Sequence, residues 1–427
     1  MKIIPNKIKG EIVVPSSKSV LHRLIILSSI ATEPTTIICN DFGNDIVRTI
    51  DCIRALGGKI EVFNDKIKVY PIQNPTNNAV LNVGESGSTL RFLLPVVCSL
   101  GLTTTFIGEP SIISRPLQPI LDLLTNKGIF VSNNKLPLTV SGNLQSGDYV
   151  IDGSLSSQFA TGLLIALANV SQNSTLKILN ATSNDYINIT LDCLKLFNVD
   201  VIKRDNNSTV CTNNANNIGS KTIDTYIINS SIITSPKSVV AEGDWSSACF
   251  LISLGVLLGE VSLKNLNIDS SQGDKVILDI ISKMGGKIST TNDTIVVSKS
   301  KLKGIEFSIK DCPDIAPILS VIMANAMGKS VLYDVDRLKI KESDRLQNII
   351  DMLQKLGIQV EYKTDSLTIF GGSMNSTSLE GKNDHRIAIS SIVALSVVGG
   401  SISGIKCIDK SYPTFLDDYK KLGGIYE

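Results

Sequence analysis

The sequence is poor in the side chains that most often hold metals or stack on nucleic acid bases. It contains two histidines, one tryptophan and only 5% aromatic residues. Its eight cysteines are scattered singly, and no pair has the CxxC spacing typical of a zinc or redox site. Net charge is +1, so no global field attracts nucleic acid or an anionic membrane. We therefore expect no zinc site, no nucleic-acid partner and no membrane partner.

Long apolar runs are missing as well. No uninterrupted apolar stretch is long enough to span a bilayer, and the opening MKIIPNKIKGEIVVP lacks the apolar core of a signal peptide. Scattered single cysteines in such a chain indicate reduced thiols and a cytoplasmic protein. With 43% hydrophobic and 19% charged residues, the 427-residue chain is expected to be globular and to form two or three domains.

The strongest positive signal is an internal repeat. Its first element is an apolar helix that carries an Asp, followed six residues later by Gly or Asn and then by a short strand. Gly or Asn at this place is typical of the left-handed residue that ends a helix. The six copies have the pairs Asp51/Gly57, Asp122/Gly128, Asp192/Asn198, Asp279/Gly285, Asp351/Gly357 and Asp417/Gly423.

A second element precedes each copy: a polar start followed by a helix rich in small apolar residues. The six starts are Ser17, Ser86, Ser156, Asp244, Asp314 and Asp384. Successive starts lie 69, 70, 88, 70 and 70 residues apart. Chance similarity between apolar helices would not produce this spacing, so the chain is predicted to contain six structural repeats.

The one long interval divides the repeats into two lobes of three. The polar stretch 205–238 within it is expected to be a hairpin or connector. The last repeat ends without its final strand, which the N-terminal segment could supply. We predict an α/β protein in which residues 16–240 form the first lobe and residues 1–15 with 241–427 the second, joined by two crossings near residues 15 and 240.

The repeated helix starts have two interpretations. Ser and Asp are good N-caps, and a helix N-terminus is also a ready anion site. Basic residues cluster near these starts, at Lys18, Arg23, Arg91, Arg115 and Arg386. The charged run RLKIKESDRL is likewise open to two interpretations, a solvated helix start or Arg side chains that bind carboxylate or phosphate. If the starts on each lobe converge, a cleft between the lobes would hold anions.

Nine segments together resemble the enolpyruvyl transferase family, most closely its members that act on shikimate 3-phosphate. The segments, in the family's order, are VPSSKSVLHR, GESGSTLR, SRPLQPILDLL, SSQFATGLL, SNDYINITL, EGDWSSA, KIKESDRL, NDHRIAIS and KSYPTF. The resemblance runs from residue 3 to 424. It implies two lobes of three βαβαββ-type units around pseudo-threefold axes, an inside-out α/β barrel that closes on its substrates. It also implies transfer of an enolpyruvyl group from phosphoenolpyruvate by addition and elimination, in a monomer without cofactors.

The resemblance also implies roles for individual residues. Asp314 would deprotonate the attacking hydroxyl, Glu342 would protonate the methylene carbon, and Lys18 would contact both substrates. Shikimate 3-phosphate binding is implied for Lys18, Ser19, Arg23, Ser156, Ser157, Gln158, Ser183, Tyr186, Asp314, Arg337 and Lys341. Phosphoenolpyruvate binding is implied for Lys18, Gly87, Arg115, Gln158, Arg345, Arg386 and Lys410.

Some positions depart from the family pattern, and two other functions stay open. Glu85 and Arg337 stand where Asn is found in family members, and Ser88 stands where Thr is common. One alternative is enolpyruvyl transfer to UDP-N-acetylglucosamine, whose enzymes carry a Cys in the loop before the arginine that matches Arg115; here that loop, GEPSIISR, has none. The other is a catalytically silent phosphate-binding relative, which would be expected to lose Asp314 or Glu342.

Overall fold

The computed structural model describes residues 1–204, 210–211, 220–291 and 294–427. The chain forms two compact units. The first comprises residues 1–17, 41–44 and 242–427, and the second comprises residues 18–40 and 45–241. None of the helices in these described ranges is long and apolar enough to cross a membrane.

Apart from the four-residue helix Pro110–Ile113, the α-helices of the described residues are of the two kinds that the repeat predicts. The α-helices are α1 (Lys18–Ser29), α2 (Asn44–Ala55), α3 (Gly87–Ser99), α4 (Pro110–Ile113), α5 (Gln118–Asn126), α6 (Ser157–Ala168), α7 (Asn184–Leu196), α8 (Trp245–Leu258), α9 (Ile277–Lys283), α10 (Ala316–Ala324), α11 (Arg345–Lys355), α12 (His385–Val398) and α13 (Phe415–Lys421). Short 3-10 helices lie at Gly273–Val276, Pro313–Ile315, Asp336–Ile340 and Ile405–Lys410.

The strands are short, mostly three to six residues. In chain order they are β1 (Lys2–Ile4), β2 (Lys9–Val13), β3 (Thr35–Ile38), β4 (Ile60–Val62), β5 (Lys66–Val69), β6 (Ala79–Asn82), β7 (Thr104–Ile107), β8 (Phe130–Val131), β9 (Leu138–Ser141), β10 (Asp148–Asp152), β11 (Ser174–Leu179), β12 (Val201–Arg204), β13 (Val210–Cys211), β14 (Ser220–Lys221), β15 (Ile223–Ile228), β16 (Ser238–Val240), β17 (Glu260–Lys264), β18 (Lys287–Thr290), β19 (Ile295–Ser298), β20 (Glu306–Ser308), β21 (Gly328–Tyr333), β22 (Gln359–Lys363), β23 (Ser366–Gly371), β24 (Thr377–Glu380), β25 (Gly400–Ser403) and β26 (Ile425–Tyr426).

Six four-stranded sheets of the described chain share one pairing pattern. In each sheet the first strand is parallel to the second. The third strand is antiparallel to the second, and the fourth is antiparallel to the third. In the unit of residues 18–40 and 45–241, the strand orders are β16-β3-β5-β4, β6-β7-β9-β8 and β10-β11-β15-β12. In the other unit they are β2-β17-β19-β18, β20-β21-β23-β22 and β24-β25-β1-β26. The predicted repeat is therefore present six times, as α/β modules.

All six predicted helix-ending residues adopt the left-handed conformation. Their φ angles are 93° at Gly57, 80° at Gly128, 62° at Asn198, 90° at Gly285, 82° at Gly357 and 95° at Gly423. A residue without Cβ, or Asn, adopts this conformation at the lowest cost, which ends the helix and turns the chain into the following strand.

The helices rich in small apolar residues form the cores. In α6 and α8 the residues from Phe159 to Ala168 and from Ser247 to Leu257 are buried throughout. Small residues also bring helices together: a Cβ added at Gly162 of α6 would lie 2.4 Å from the carbonyl oxygen of Arg91 in α3. Helices without a polar face must be covered on all sides, so these six are the buried layer and the Asp-bearing amphipathic helices are the outer one.

The N-terminal strands complete the unit that holds the C-terminus. Strand β1 lies between β25 and β26, with Lys2 opposite Ser401 and Ile3 opposite Tyr426. Strand β2 is parallel to β17, with Ile12 opposite Leu263. The first and last segments of the chain thus share one sheet.

The observed division differs from the expected one in the segment 41–44. This segment belongs to the same unit as residues 242–427, so the chain passes between the units four times rather than twice. Packing explains the difference, because a Cβ at Gly43 would lie 2.4 Å from the carbonyl oxygen of Lys410. In addition, the Thr414 hydroxyl donates to Asp41. Within the polar stretch 205–238, β15 pairs antiparallel with β12, which lies just before the stretch, and β13 pairs antiparallel with β14. Residues 205–209 and 212–219 lie outside the described residues.

Candidate active site

Each unit gathers predicted site residues at the starts of its buried helices. In the unit of residues 18–40 and 45–241, Ser86 caps α3 by accepting a hydrogen bond from the backbone N–H of Thr89 at 3.2 Å. Ser156 caps α6, accepting from the N–H of Gln158 at 3.3 Å. Both caps leave backbone N–H groups and the positive end of the helix dipole at the helix start.

Gly87 lies directly beneath a pair of guanidinium groups. A Cβ at this position would lie 2.8 Å from Nη1 of Arg115, 3.3 Å from Nη1 of Arg91 and 3.5 Å from Oε1 of Gln158. The same Gln158 oxygen accepts from Arg91 Nη1 at 2.7 Å, and its Nε2 donates to Ser88 Oγ at 3.0 Å. Two cations and an amide therefore surround a bare stretch of backbone, an arrangement suited to a carboxylate or phosphate.

Lys18 opens α1 beside a carboxylate. Its Nζ lies 2.9 Å from Oδ2 of Asp45, and both side chains are mostly buried. Asp45 follows Asn44 at the start of α2 and was not anticipated as a site residue. The ion pair holds the ammonium at the helix start, where sequence analysis placed a contact to both substrates.

Arg23 is a buried cation held by neutral oxygens. It is 2% exposed and donates to Thr190 Oγ1 at 2.8 Å, to the carbonyl oxygens of Ser19 at 2.6 Å and Tyr186 at 2.8 Å, and to Thr161 Oγ1 at 3.2 Å. Burial lowers the pKa of Arg23 to about 10. Arg23 thereby joins two predicted site segments, at Ser19 and Tyr186, into one frame. The nearby Ser183, also predicted, has a φ of 56° and is the N-cap residue of α7.

A chain of buried hydroxyls connects α1 with the cap of α3. His22 Nδ1 lies 2.7 Å from Thr49 Oγ1, which lies 2.7 Å from Thr89 Oγ1, and that hydroxyl donates to Ser86 Oγ at 2.7 Å. Burial holds the pKa of His22 well below its usual value, with Lys18 and Arg23 adding to the effect. The histidine is therefore a neutral structural member of this frame.

The second group of site residues centres on Asp314. Its Oδ1 lies 2.8 Å from Nη1 of Arg345 and 3.5 Å from Nζ of Lys341, and its Oδ2 lies 3.0 Å from Nη2 of Arg386. The carboxylate thus lies among three cations that sequence analysis had placed in the same site. An ionised carboxylate in this position can accept the proton of a hydroxyl.

Arg345 is the most enclosed member of this group. It is 0% exposed, its Nε donates to Asp384 Oδ2 at 2.8 Å, and its Nη2 pairs with Glu342. Burial by itself lowers the pKa of Arg345, but Asp384, Glu342 and Asp314 together hold it above its ordinary value. The guanidinium therefore joins the two predicted proton-transfer carboxylates, Asp314 and Glu342.

Arg386 follows the cap of α12, where its backbone N–H donates to Asp384 at 3.0 Å. Its side chain donates to the Asp314 carbonyl oxygen at 3.3 Å and to Ser246 Oγ at 3.2 Å. Burial lowers the pKa of Lys341, although Asp314 opposes this. Further out, Lys410 Nζ donates to the carbonyl oxygen of Asn383 at 2.8 Å.

The structure refines two predictions, one for the helix start at Asp314 and one for the charged run RLKIKESDRL. Asp314 does not cap its helix as the other acidic starts do; it lies within the 3-10 helix Pro313–Ile315, where its carboxylate turns to the arginines. Both interpretations of the charged run RLKIKESDRL apply, each to a different part of it. Arg345 is buried in the ion-pair group, whereas Lys339 is exposed and pairs with Asp336. Arg337 lies at the edge, where it donates to the carbonyl oxygen of Lys310 at 2.8 Å.

Sequence reasoning missed the residues that hold the predicted ones in place. They are Asp45, Thr161, Thr190, Ser246, Asp274 and Asp384 as partners of predicted cations or of their neighbours. Asp384 was predicted as a helix start, but its role as the partner of Arg345 was not. The remaining partners are short polar side chains without a distinguishing spacing.

Comparison with solved structures defines the class. The structure resembles the EPSP synthase from Acinetobacter baumannii with a TM-score of 0.80 at 23% identity, covering 99% of this chain and 97% of that one. It resembles the enolpyruvyl transferase NikO from Streptomyces tendae with a TM-score of 0.75 at 16% identity, covering 99% and 97%. The fold is that of the enolpyruvyl transferases, as predicted from the repeat and the resemblance.

Sequence comparison narrows the class to one family. The family model for EPSP synthase (3-phosphoshikimate 1-carboxyvinyltransferase) matches residues 3–419. The 3-phosphoshikimate 1-carboxyvinyltransferases of Clostridium kluyveri and Clostridium acetobutylicum are 35% and 36% identical to the chain, and each alignment covers 99% of this chain and 97% of the relative. The chain therefore belongs to the EPSP synthase family.

Proposed function

We propose that this protein transfers the enolpyruvyl group of phosphoenolpyruvate to shikimate 3-phosphate, giving 5-enolpyruvylshikimate 3-phosphate and phosphate for aromatic amino acid biosynthesis. Membership of the family supports the activity. The observation that carries the proposal for these residues is that one buried guanidinium, Arg345, joins Asp314 and Glu342. The reaction needs one carboxylate at the hydroxyl and another acid at the enol carbon.

The reaction proceeds by addition and then elimination. Asp314 takes the proton of the attacking hydroxyl while the hydroxyl oxygen bonds to C2 of phosphoenolpyruvate. Glu342 gives a proton to C3. A tetrahedral ketal phosphate results. Loss of a proton from C3 and departure of phosphate from C2 then restore the double bond. Each positioned proton transfer contributes roughly 10²–10⁴-fold to the rate.

Cations of both units would stabilise the charges of the two substrates. We assign the phosphate and carboxylate of phosphoenolpyruvate to Lys18, Gly87, Arg115, Gln158, Arg345, Arg386 and Lys410. We assign shikimate 3-phosphate to Lys18, Ser19, Arg23, Ser156, Ser157, Gln158, Ser183, Tyr186, Asp314, Arg337 and Lys341. Fixed guanidinium and ammonium groups favour departure of phosphate because they need no reorganisation as charge develops.

We further propose that the two units are the two lobes that close on the substrates, and that the protein works as a monomer in the cytoplasm. The three-repeat construction of each unit supports the first point. Small-angle scattering tests both: the forward scattering should correspond to one 46.0 kDa chain, and shikimate 3-phosphate should reduce the radius of gyration. A dimeric mass, or an unchanged radius, would contradict the respective proposal.

The decisive experiment measures phosphate release from phosphoenolpyruvate with two acceptors. We expect release with shikimate 3-phosphate and none with UDP-N-acetylglucosamine. Lys18→Met and Glu342→Ala should each lower turnover by at least about 10²-fold, since each removes a group that acts on the reacting atoms. Release only with the sugar nucleotide would instead identify the alternative acceptor, and no release with either would indicate a catalytically silent relative.

Matched control variants test whether these losses are local. Lys339→Met and Glu380→Ala remove exposed residues of the same types. Lys339 contacts Asp336 and the Tyr362 hydroxyl at the surface, and Glu380 pairs with Lys382 there. Both controls should retain wild-type turnover. Near-normal phosphate release by Glu342→Ala would refute its assigned role.

A further inference from the structure

One carboxylate next to the Asp314 group has no part in the mechanism above. Asp274 lies on the 3-10 helix Gly273–Val276, is 4% exposed and accepts a hydrogen bond from the Ser246 hydroxyl. Ser246 is the second residue of α8, whose N-cap is Asp244. Thus the buried carboxylate of Asp274 contacts the start of α8, a helix that begins with an acidic cap.

The hydroxyl of Ser246 connects this carboxylate with Arg386. A serine hydroxyl has one proton to donate and two lone pairs to accept with. Because the proton goes to Asp274 Oδ2, the oxygen presents its lone pairs elsewhere, and one accepts from Arg386 Nη2 at 3.2 Å. Asp274 therefore sets the direction in which Ser246 can bind the guanidinium.

Arg386 has a second anchor, and that one changes charge during the proposed reaction. Its side chain also donates to Asp314, at 3.0 Å to Oδ2 and 3.3 Å to the carbonyl oxygen. When Asp314 takes the hydroxyl proton, its attraction for Arg386 weakens. The Asp274–Ser246 branch keeps its charge through the same step, so it can hold the guanidinium while the neighbouring anchor is protonated.

A role in stability alone does not explain why the carboxylate of Asp274 is buried. Burial raises its pKa to about 6, with Asp314 and Asp244 adding to the effect and Arg386 and Ser246 opposing it. At neutral pH the ionised group is therefore less favourable in the folded protein than in water. Groups that lower stability in this way are expected where they serve function.

We propose that Asp274 is a positioning residue that acts through Ser246 to orient Arg386 for phosphoenolpyruvate. This rests on the proposed role of Arg386 in binding that substrate. The position of Asp274 next to Gln272 offers a competing structural explanation. The Gln272 amide accepts from Ser17 Oγ at 3.0 Å and from Trp245 N at 3.1 Å and donates to the Gly243 carbonyl oxygen at 2.9 Å, so this segment also fastens the chain where it passes between the units.

A double-mutant cycle separates the two explanations. Asp274→Asn keeps the size of the side chain and removes its charge, Ser246→Ala removes the bridge, and the double variant removes both. We expect each single variant to raise the KM for phosphoenolpyruvate about tenfold, with kcat and the KM for shikimate 3-phosphate changed less than about twofold. The double variant should be no worse than Ser246→Ala, because the two residues act in series. The control Asp279→Asn changes an exposed Asp of the adjacent helix α9 and should match the wild type.

The outcomes distinguish failure of this inference from failure of the proposed function. If the wild type releases phosphate and Arg386→Lys raises the KM for phosphoenolpyruvate, but Asp274→Asn and Ser246→Ala do not, the positioning role is wrong. It is equally wrong if the two single effects multiply in the double variant, or if kcat and both KM values change together. If the wild type itself shows no transfer to shikimate 3-phosphate, the proposed function fails first.

Thermal unfolding of the same variants provides a readout without activity. The single tryptophan, Trp245, is buried beside Ser246, so its fluorescence follows this unit. Asp274→Asn should unfold at the wild-type temperature or above it at pH 8, where the native carboxylate is ionised. A clearly lower unfolding temperature at pH 8 would show that Asp274 serves stability, and would overturn the proposal.

Discussion

The two groups of site residues are built on the same three-repeat scaffold but with opposite chemistry. In the group around Gly87 and Arg23, cations are held largely by hydroxyls, carbonyl oxygens and an amide. In the group around Asp314 and Arg345, cations are held by carboxylates that share them. The helix caps contribute to the difference. Ser86 and Ser156 cap helices of one unit, whereas Asp244 and Asp384 cap helices of the other, where Asp384 also binds Arg345.

This difference teaches how one repeated module can serve two tasks. A cation bonded to neutral oxygens keeps its full charge for an incoming anion. A carboxylate surrounded by cations stays ionised and can serve as a base, but its removal leaves partners that cannot remain buried alone. The first arrangement favours binding and the second favours proton transfer, so the two units should respond differently when a charge is removed.

Removing the central cation of each group should give the largest contrast. Arg345→Met leaves Asp384, itself 0% exposed, without its paired cation, and breaking such a buried ion pair costs about 3–5 kcal/mol of unfolding free energy. Arg23→Met leaves only neutral acceptors and should cost about 1–3 kcal/mol. Urea unfolding followed by Trp245 fluorescence, with hydrogen exchange for the other unit, measures both. Equal losses would contradict the comparison.

Acid should act on the two units with opposite sign. The pKa of His22 is held well below 6.5 in the folded protein, so below pH 6.5 the unfolded chain gains the proton more readily. Stability is therefore lost as pH falls, by at most about 2 kcal/mol at pH 5. The pKa of Asp274 is raised to about 6, so its unfavourable effect is present above pH 6 and is relieved as pH falls towards 3.8.

Two variants isolate these effects from other titrating groups. His22→Asn keeps a nitrogen near Thr49 and cannot titrate, so its unfolding free energy should fall less than that of the wild type between pH 7.5 and 5. The unfolding free energy of Asp274→Asn should exceed that of the wild type at pH 7.5, and about half of this difference should be lost at pH 5. Urea unfolding at both pH values measures the differences, and parallel curves for variant and wild type would refute the assignment.

A smaller effect is expected from a single methyl group at the bare backbone of the hydroxyl-lined group. The Cβ of Gly87→Ala would lie 2.8 Å from Arg115 Nη1, which must move. Because that guanidinium ends a flexible side chain, we expect the fold to persist and the KM for phosphoenolpyruvate to rise about fivefold, near 1 kcal/mol. Gly372→Ala is the control, since a Cβ there meets nothing within 4 Å. An unchanged KM would place the substrate away from Gly87.

The smallest effect is expected from labelling of the cysteines, because the pKa values of thiols are raised in both units. Burial raises the pKa of Cys39 to about 11 and those of Cys52 and Cys98 to about 12, and Cys249 is also shifted upward. A thiol-reactive dye should therefore leave the native protein and its activity unchanged. The measurement uses a Cys211→Ser variant, so that the thiols under test are the seven buried ones. Rapid labelling of the native variant would contradict the prediction.

Regular features of the fold could be predicted because they depend on local preferences repeated six times. Gly57 and its five counterparts mark helix ends through backbone freedom alone, and the starts at Ser86 and Asp384 cap their helices as expected. Asp314 has the same spacing but a different role. Its neighbouring Pro313 opens a 3-10 turn, and two distant arginines attract its carboxylate more than its own helix does.

Contacts between distant segments could not be predicted. The segment 41–44 joins the unit of residues 242–427 because Gly43 fits against Lys410, and nothing local to residues 41–44 indicates this. Arg345 is buried and Lys339 exposed within one charged run, since only the former meets Asp384. Such partners are set by tertiary packing, which a linear pattern of charges does not encode.

The position of strand β1 has a consequence for how the protein is made. Lys2 exchanges backbone hydrogen bonds with Glu427, at 2.7 and 2.9 Å, so strand β1 depends on a segment that the ribosome makes much later. Residues 18–40 and 45–241 can fold during synthesis. Strand β1 must wait, with both edges unpaired, until β25 and β26 have been made, and an unpaired strand edge is open to aggregation during this interval.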